Sequence, residues 1–186
     1  MMDDLCRALV YVRDHITEHC PDADPDQIYL SGHSAGAHLI SLLVLDQSHL
    51  LRHNLSLACI RGVIVMSGIY SLTNPTHDSK NNIRTWIFRI LYSSNLTLPK
   101  GKKMIDYSPI EYIKEEESIP PFLVMSAKYD MGLEVDAKRL VEKLKQFRHQ
   151  VEYFVVNSSH ATIANKFGTN DAQKHFFKFV RQHMKY

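Results

Sequence analysis

Ser34 stands between two glycines in the run Gln27-Ile28-Tyr29-Leu30-Ser31-Gly32-His33-Ser34-Ala35-Gly36-Ala37-His38-Leu39. The run reads as a short strand, a glycine-bracketed serine and the start of a helix, the arrangement of a nucleophile elbow. A strand that turns this sharply into a helix would bring side chains two residues before and after the serine into collision, hence Gly32 and Gly36. Ser34 is then exposed at the apex, beside the N–H groups and positive dipole end of the helix. By chance, 7 glycines and 15 serines in 186 residues give roughly 0.02 such motifs. The motif therefore constrains the chain to a strand–turn–helix with a nucleophile at the turn.

The rest of the sequence supplies a frame for it. Leu5, Ala8, Leu9, Val12 and Ile16 recur at helical spacing, predicting an amphipathic helix from residue 3 to about 19, ended by Pro21. Three apolar runs, 62–67, 121–126 and 151–156, are rich in β-branched and aromatic residues and read as strands. The first two are apolar on both faces, as parallel strands covered on each side must be. Helices are predicted over 133–147, with Val135, Leu140, Val141 and Leu144 apolar, and over 170–184, with Phe176, Phe177, Val180 and Met184 apolar. Alternating strands and helices imply a three-layer α/β/α fold around a mostly parallel sheet. A length of 186 residues suits one domain over 1–186. Residues 73–106 break the rhythm as a lid-like insertion. In it Ile83, Trp86, Ile87, Ile90 and Leu91 lie at helical spacing, either covering the sheet or walling an apolar pocket with Trp86.

A serine nucleophile needs a base to take its proton and an acid to hold that base. In this kind of fold the chain order is Ser, Asp or Glu, then His. Asp130 falls just past the run 121–126, and His160 just past 151–156. All three then meet at the carboxyl edge of a parallel sheet, where the sites of open α/β folds collect. Glu134 and Asp136, one turn along, are alternative acids. His149 precedes its strand, and His175 and His183 belong to the last helix. His33 and His38 flank the serine, His33 either shaping the substrate pocket or packing. A rival signature, His15-Ile16-Thr17-Glu18-His19, matches the H-x-x-E-H zinc pattern, expected by chance roughly 0.03 times. It sits at the frayed end of a helix, with no downstream acidic residue standing out as a third ligand, so no metal site is expected.

Composition excludes several other classes. With 22 basic and 20 acidic residues scattered along the chain, the net charge is +2, and nothing asks for nucleic acid or an anionic surface. No apolar run approaches a membrane span. Cys6, Cys20 and Cys59 form an odd set without CxxC spacing, which fits a reducing, cytoplasmic setting.

At Gly32-His33-Ser34-Ala35-Gly36-Ala37-His38-Leu39 the chain resembles the α/β-hydrolase superfamily, and the octet is similar to kynurenine formamidase (arylformamidase) and its carboxylesterase relatives. The segment 61–72, with its Ser67-Gly68 turn, and Tyr107-Ser108-Pro109, Asp130 and His160 fit the same family. The resemblance implies Ser34 as nucleophile, Asp130 as acid and His160 as base, acting through an acyl-enzyme on a small ester or formamide without a cofactor. It also implies a departure. Those enzymes begin with several strands and a His-Gly-Gly loop, which lies ahead of the helix that opens this chain. That loop completes the oxyanion hole with the N–H after the nucleophile. Here no two glycines are adjacent, so Ala35 offers one donor and the second is missing. The chain is thus expected to be the C-terminal part of a hydrolase lacking its N-terminal strands. The strand Ile28-Tyr29-Leu30 would keep an open apolar edge, suited to a homodimer or to a non-catalytic interaction module.

Overall fold

The computed structural model describes residues 1–72, 101, 103–130 and 132–184. Its frame is a four-stranded sheet, β1 (Ile28–His33), β2 (Ile60–Met66), β3 (Phe122–Tyr129) and β4 (Val151–Ser159), in that spatial order and parallel throughout. The helices are α1 (Met2–His19), α2 (Ala35–Leu45), α3 (Ser48–Leu51), α4 (Leu133–Gln146), α5 (Thr162–Asn165) and α6 (Asp171–His183). Most of the insertion expected over 73–106, Trp86 and its neighbours included, lies outside the described residues.

The pleat of the strands sorts the core into two layers. Val63, Val65, Phe122 and Val124 point to one face with residues of α1, α2 and α4, while Ile64, Met66, Leu123 and Met125 point to the other with α5 and α6. Side chains alternate faces along a strand, so an all-apolar run feeds both layers at once. This is the expected α/β/α arrangement. β2 and β3 are buried along almost their whole length, whereas β1 and β4, at the sheet's edges among the described residues, are mostly half-buried. Helix α2 carries Ala37, Ile40, Leu42, Leu43, Val44 and Leu45, all buried, as a helix without a polar face must be.

On three helices part of the expected apolar stripe faces outward, while the rest packs on the core. On α1 the buried residues are Cys6 and Leu9, and Val12 is 40% exposed. On α4 Leu140, Val141 and Leu144 are buried as expected, together with Leu133 and Ala137, and only Val135 of the expected four is exposed, at 47%. On α6 the large buried side chain is Phe179, 1% exposed, whereas Phe177 and Met184 face outward. The reason on α6 is Gly62: a Cβ there would lie 2.6 Å from Phe179 Cε1 and 3.0 Å from the Tyr29 ring. The glycine leaves a hollow in β2, Phe179 fills it, and that contact sets the helix's rotation. Tyr29 Oη adds a hydrogen bond to the Val180 carbonyl at 3.1 Å.

Candidate active site

The site grows from the end of β1. Its last residue, His33, pairs with Met66 of β2, and Ser34 N–H donates to the Met66 carbonyl at 2.9 Å. Helix α2 starts at the very next residue. To turn that fast, Ser34 adopts φ 55° and ψ −116°, a backbone state costing of order 1–3 kcal/mol for a residue with a Cβ. The two bracketing glycines are not equivalent. A Cβ on Gly32 would lie 2.6 Å from Gly36 C and 2.7 Å from Gly36 O, but a Cβ on Gly36 would meet nothing within 4 Å among the described residues. The collision expected of both positions therefore belongs to Gly32 alone, because it is the strand that runs beneath the helix backbone.

Two later strands deliver the partners. β3 ends at Tyr129 and β4 at Ser159, so Asp130 and His160 are the residues that follow them, on the same sheet edge as Ser34. His160 Nε2 lies 3.0 Å from Ser34 Oγ, and His160 Nδ1 lies 2.7 Å from Asp130 Oδ1. With Nδ1–H donated to the carboxylate, Nε2 is left to accept the serine proton. Asp130 is 3% exposed, and its other oxygen accepts the Ala127 N–H at 3.3 Å, a donor shared with Ser67 Oγ at 3.4 Å. Ser67, itself in the left-handed region at φ 51°, was visible in the sequence only as part of a Ser-Gly turn. The alternative acids are placed elsewhere. Glu134 pairs with Lys138 one turn along α4 at 2.6 Å, and Asp136 is buried on α4.

The flanking histidines differ sharply. His38 is fully buried and donates Nδ1–H to the Ile69 carbonyl at 2.8 Å, and burial pushes its imidazole down to about 4. His33 is half-buried at the site. Its Nε2–H donates to the His160 carbonyl at 2.8 Å, and the two rings lie 4.8 Å apart. Burial holds the His33 imidazole below its ordinary value, opposed by that hydrogen bond. At the rival zinc signature His15 Nδ1 meets Glu18 Oε1 at 2.9 Å, and no group of three or more His, Cys, Asp or Glu side chains among the described residues is gathered to hold a metal.

A family model described as alpha/beta hydrolase fold matches residues 1–163. The chain belongs to the alpha/beta hydrolase family. Among curated relatives, the esterase LipQ of Mycobacterium tuberculosis is 31% identical to this chain over 133 residues, 68% of the chain and 30% of LipQ. The chain spans about a third of the length of the curated relatives it matches, 30% and 34% of their sequences. Among solved structures, the thermophilic carboxylesterase EstE1, cloned from a metagenomic library, superposes with a TM-score of 0.72 at 18% identity, covering 99% of this chain and 64% of EstE1. A truncated carbohydrate esterase from gut microbiota gives 0.67 at 15%, covering 97% and 68%. These structural likenesses carry the fold of this alpha/beta hydrolase and nothing finer. No helix among its described residues is long and apolar enough to cross a membrane.

Proposed function

We propose that this alpha/beta hydrolase cleaves small carboxylic esters, with Ser34 as nucleophile, His160 as general base and Asp130 as the acid that orients it. The observation that carries the reading is the continuous chain Ser34 Oγ, His160 Nε2, His160 Nδ1, Asp130 Oδ1, with contacts of 3.0 and 2.7 Å. In this reading Ser34 Oγ attacks the carbonyl carbon while His160 Nε2 takes its proton. The oxyanion accepts the Ala35 N–H at the head of α2. Collapse of the tetrahedral intermediate expels the alcohol, which takes the proton from His160 and leaves an acyl-serine. Water, deprotonated by His160, then releases the acid and restores Ser34. Esterase relatives support an ester as substrate. The Gly32–Leu39 octet makes an aryl formamide the second substrate to assay. With Ala35 as the only donor among the described residues, turnover would lie about 10² to 10³ below that of a complete oxyanion hole.

A second reading rests on β1, whose outer edge has no strand partner among the described residues. In it the chain is an interaction module that keeps the elbow as architecture and pairs through that edge, a second copy of the chain included. A fluorophosphonate probe and a sizing measurement decide between the two. Labelling of wild type but not of Ser34→Ala, together with ester turnover by a monomer, supports the hydrolase. Equal labelling of both proteins refutes it, and an unlabelled oligomer supports the module.

A further inference from the structure

We infer that His33 is a positioning residue for the base: its Nε2–H, donated to the His160 carbonyl oxygen at 2.8 Å, ties the loop after β4 to the end of β1 and so sets His160 over Ser34. The inference rests on the roles proposed above for Ser34, His160 and Asp130.

The need for such a tie follows from the topology. β1 and β4 are separated by β2 and β3, three strand spacings or about 14 Å. No ladder bond joins them. Ser34 and His160 nevertheless meet at 3.0 Å, so the end of β4, with the two-residue turn 160–161 that leads into α5, leans toward β1 above the two central strands. A serine–imidazole hydrogen bond is a poor tether for that reach, because it is the bond in which the proton moves. Asp130, just after β3, fixes the orientation of the ring at 2.7 Å, and the Tyr129 pairing of Ser159 with the Ser159–Thr162 hydrogen bonds holds the main chain on the β3 side. His33 adds the hold on the β1 side, from the residue next to the nucleophile, on a strand registered against Met66. Base and nucleophile are thereby referred to the same rigid element.

The ring does a second thing. Its centroid lies 4.8 Å from that of His160 at 46°, so it limits swinging of the base on the side of β1. Burial holds the His33 imidazole below its ordinary value. At neutral pH it is therefore a neutral donor and places no positive charge beside the imidazolium that forms on His160 during the reaction. Asp130, just after β3, and His160, just after β4, are the charged or titratable groups acting on it there. The tie itself needs an N–H at the reach of Nε2, which an imidazole or a glutamine amide supplies and a carboxylate does not.

The test compares His33→Phe, which keeps a ring and removes the donor, with His33→Gln, which keeps an N–H at similar reach. The first readout is the proton resonance of His160 Nδ1–H, identified by its loss in His160→Gln and followed from pH 5 to 9. It needs no turnover. It should persist in wild type and His33→Gln and broaden away in His33→Phe. The second readout is the rate of fluorophosphonate labelling, expected to fall roughly 10²-fold in His33→Phe, the scale of a small misplacement of reacting groups, and to stay within about threefold in His33→Gln. A resonance as sharp in His33→Phe as in wild type, with the same pH dependence, overturns the inference. So does a folded His33→Gln as slow as His33→Phe, and if His33→Phe does not fold, loss of the resonance in folded His33→Gln does so alone. Labelling of Ser34→Ala would instead remove the nucleophile reading and leave the resonance to decide the role of His33.

Discussion

Replacing Gly32 by alanine should unfold the elbow, and replacing Gly36 should not, although one motif contains both. A methyl on Gly32 would put carbon 2.6 Å from Gly36 C, 2.7 Å from Gly36 O and 2.8 Å from Ala37 N. Unstrained carbon contacts lie near 3.5–4.0 Å, so a separation of about 1 Å has to be found. The obstacle is the backbone of the first turn of α2, a helix buried almost throughout, and it cannot rotate aside as a side chain would. Gly32 is not at positive φ, so the effect is purely steric. Overpacking costs about 1–3 kcal/mol, and a backbone obstacle puts this case at the upper end. In a chain of this size about 3 kcal/mol lowers the melting temperature by roughly 6–12 °C. Gly36 is the second residue of α2, with open space around its Cα, and alanine in a helix is favoured over glycine by up to about 1 kcal/mol. Its variant should therefore melt at or slightly above wild type. Thermal unfolding followed by circular dichroism measures both. A Gly32→Ala protein melting within about 2 °C of wild type, or a Gly36→Ala protein falling as far as Gly32→Ala, would refute the steric argument.

Three further outcomes follow from the same structure. Asp130→Asn should cut ester turnover by roughly 10⁴ by presenting His160 with the wrong partner, while Glu134→Gln, paired with Lys138 on α4, should stay within about threefold; similar losses in both would reopen the identity of the acid. Folded-state His38 titrates near 4, below the roughly 6.5 of an unfolded chain. The unfolded chain therefore takes up a proton the folded one refuses, so stability is full above about pH 6.5, falls as pH drops toward 4 and loses about 3 kcal/mol at most. Urea unfolding at pH 7.5 and 4.5 should show that loss in wild type and lose most of it in His38→Asn, and an unchanged difference between the two pH values would count against it. Phe179→Ala empties the hollow over Gly62 and should cost about 3–5 kcal/mol, whereas Phe177→Ala, at a ring 43% exposed, should cost under about 1 kcal/mol by the same denaturant measurement.

The contrast between Phe179 and Phe177 shows where sequence reading stops. A 3.6-residue stripe says that α6 has an apolar side, and several aromatic residues in a row make that side broad. Which of them points inward is decided by a hollow in another element, 117 positions away in the chain, made by the absence of a side chain at Gly62. On α1 and α4 the expected stripes hold except at single positions such as Val12 and Val135, which are exposed. The elbow was legible because its constraint is local: strand, turn and helix follow one another within a dozen residues, and Gly32 lies within reach of Gly36 through the turn itself. Asp130 and His160 were legible because parallel strands all end at one edge, so a residue placed just after a strand is placed in space as well.

By itself, then, the sequence determined the alternation of strands and helices, the turn at Ser34 and the order Ser, Asp, His, all consequences of short-range periodicity and of one topological rule. Only the tertiary structure decided that Ser34, His160 and Asp130 stand within 3.0 and 2.7 Å of one another, that Gly36 has room where Gly32 has none, and that His33 spends its N–H on the His160 main chain. Those are distances between groups as far as 127 residues apart in the chain. They are set by how the loops cross the top of the sheet, and no pattern within a single segment encodes them.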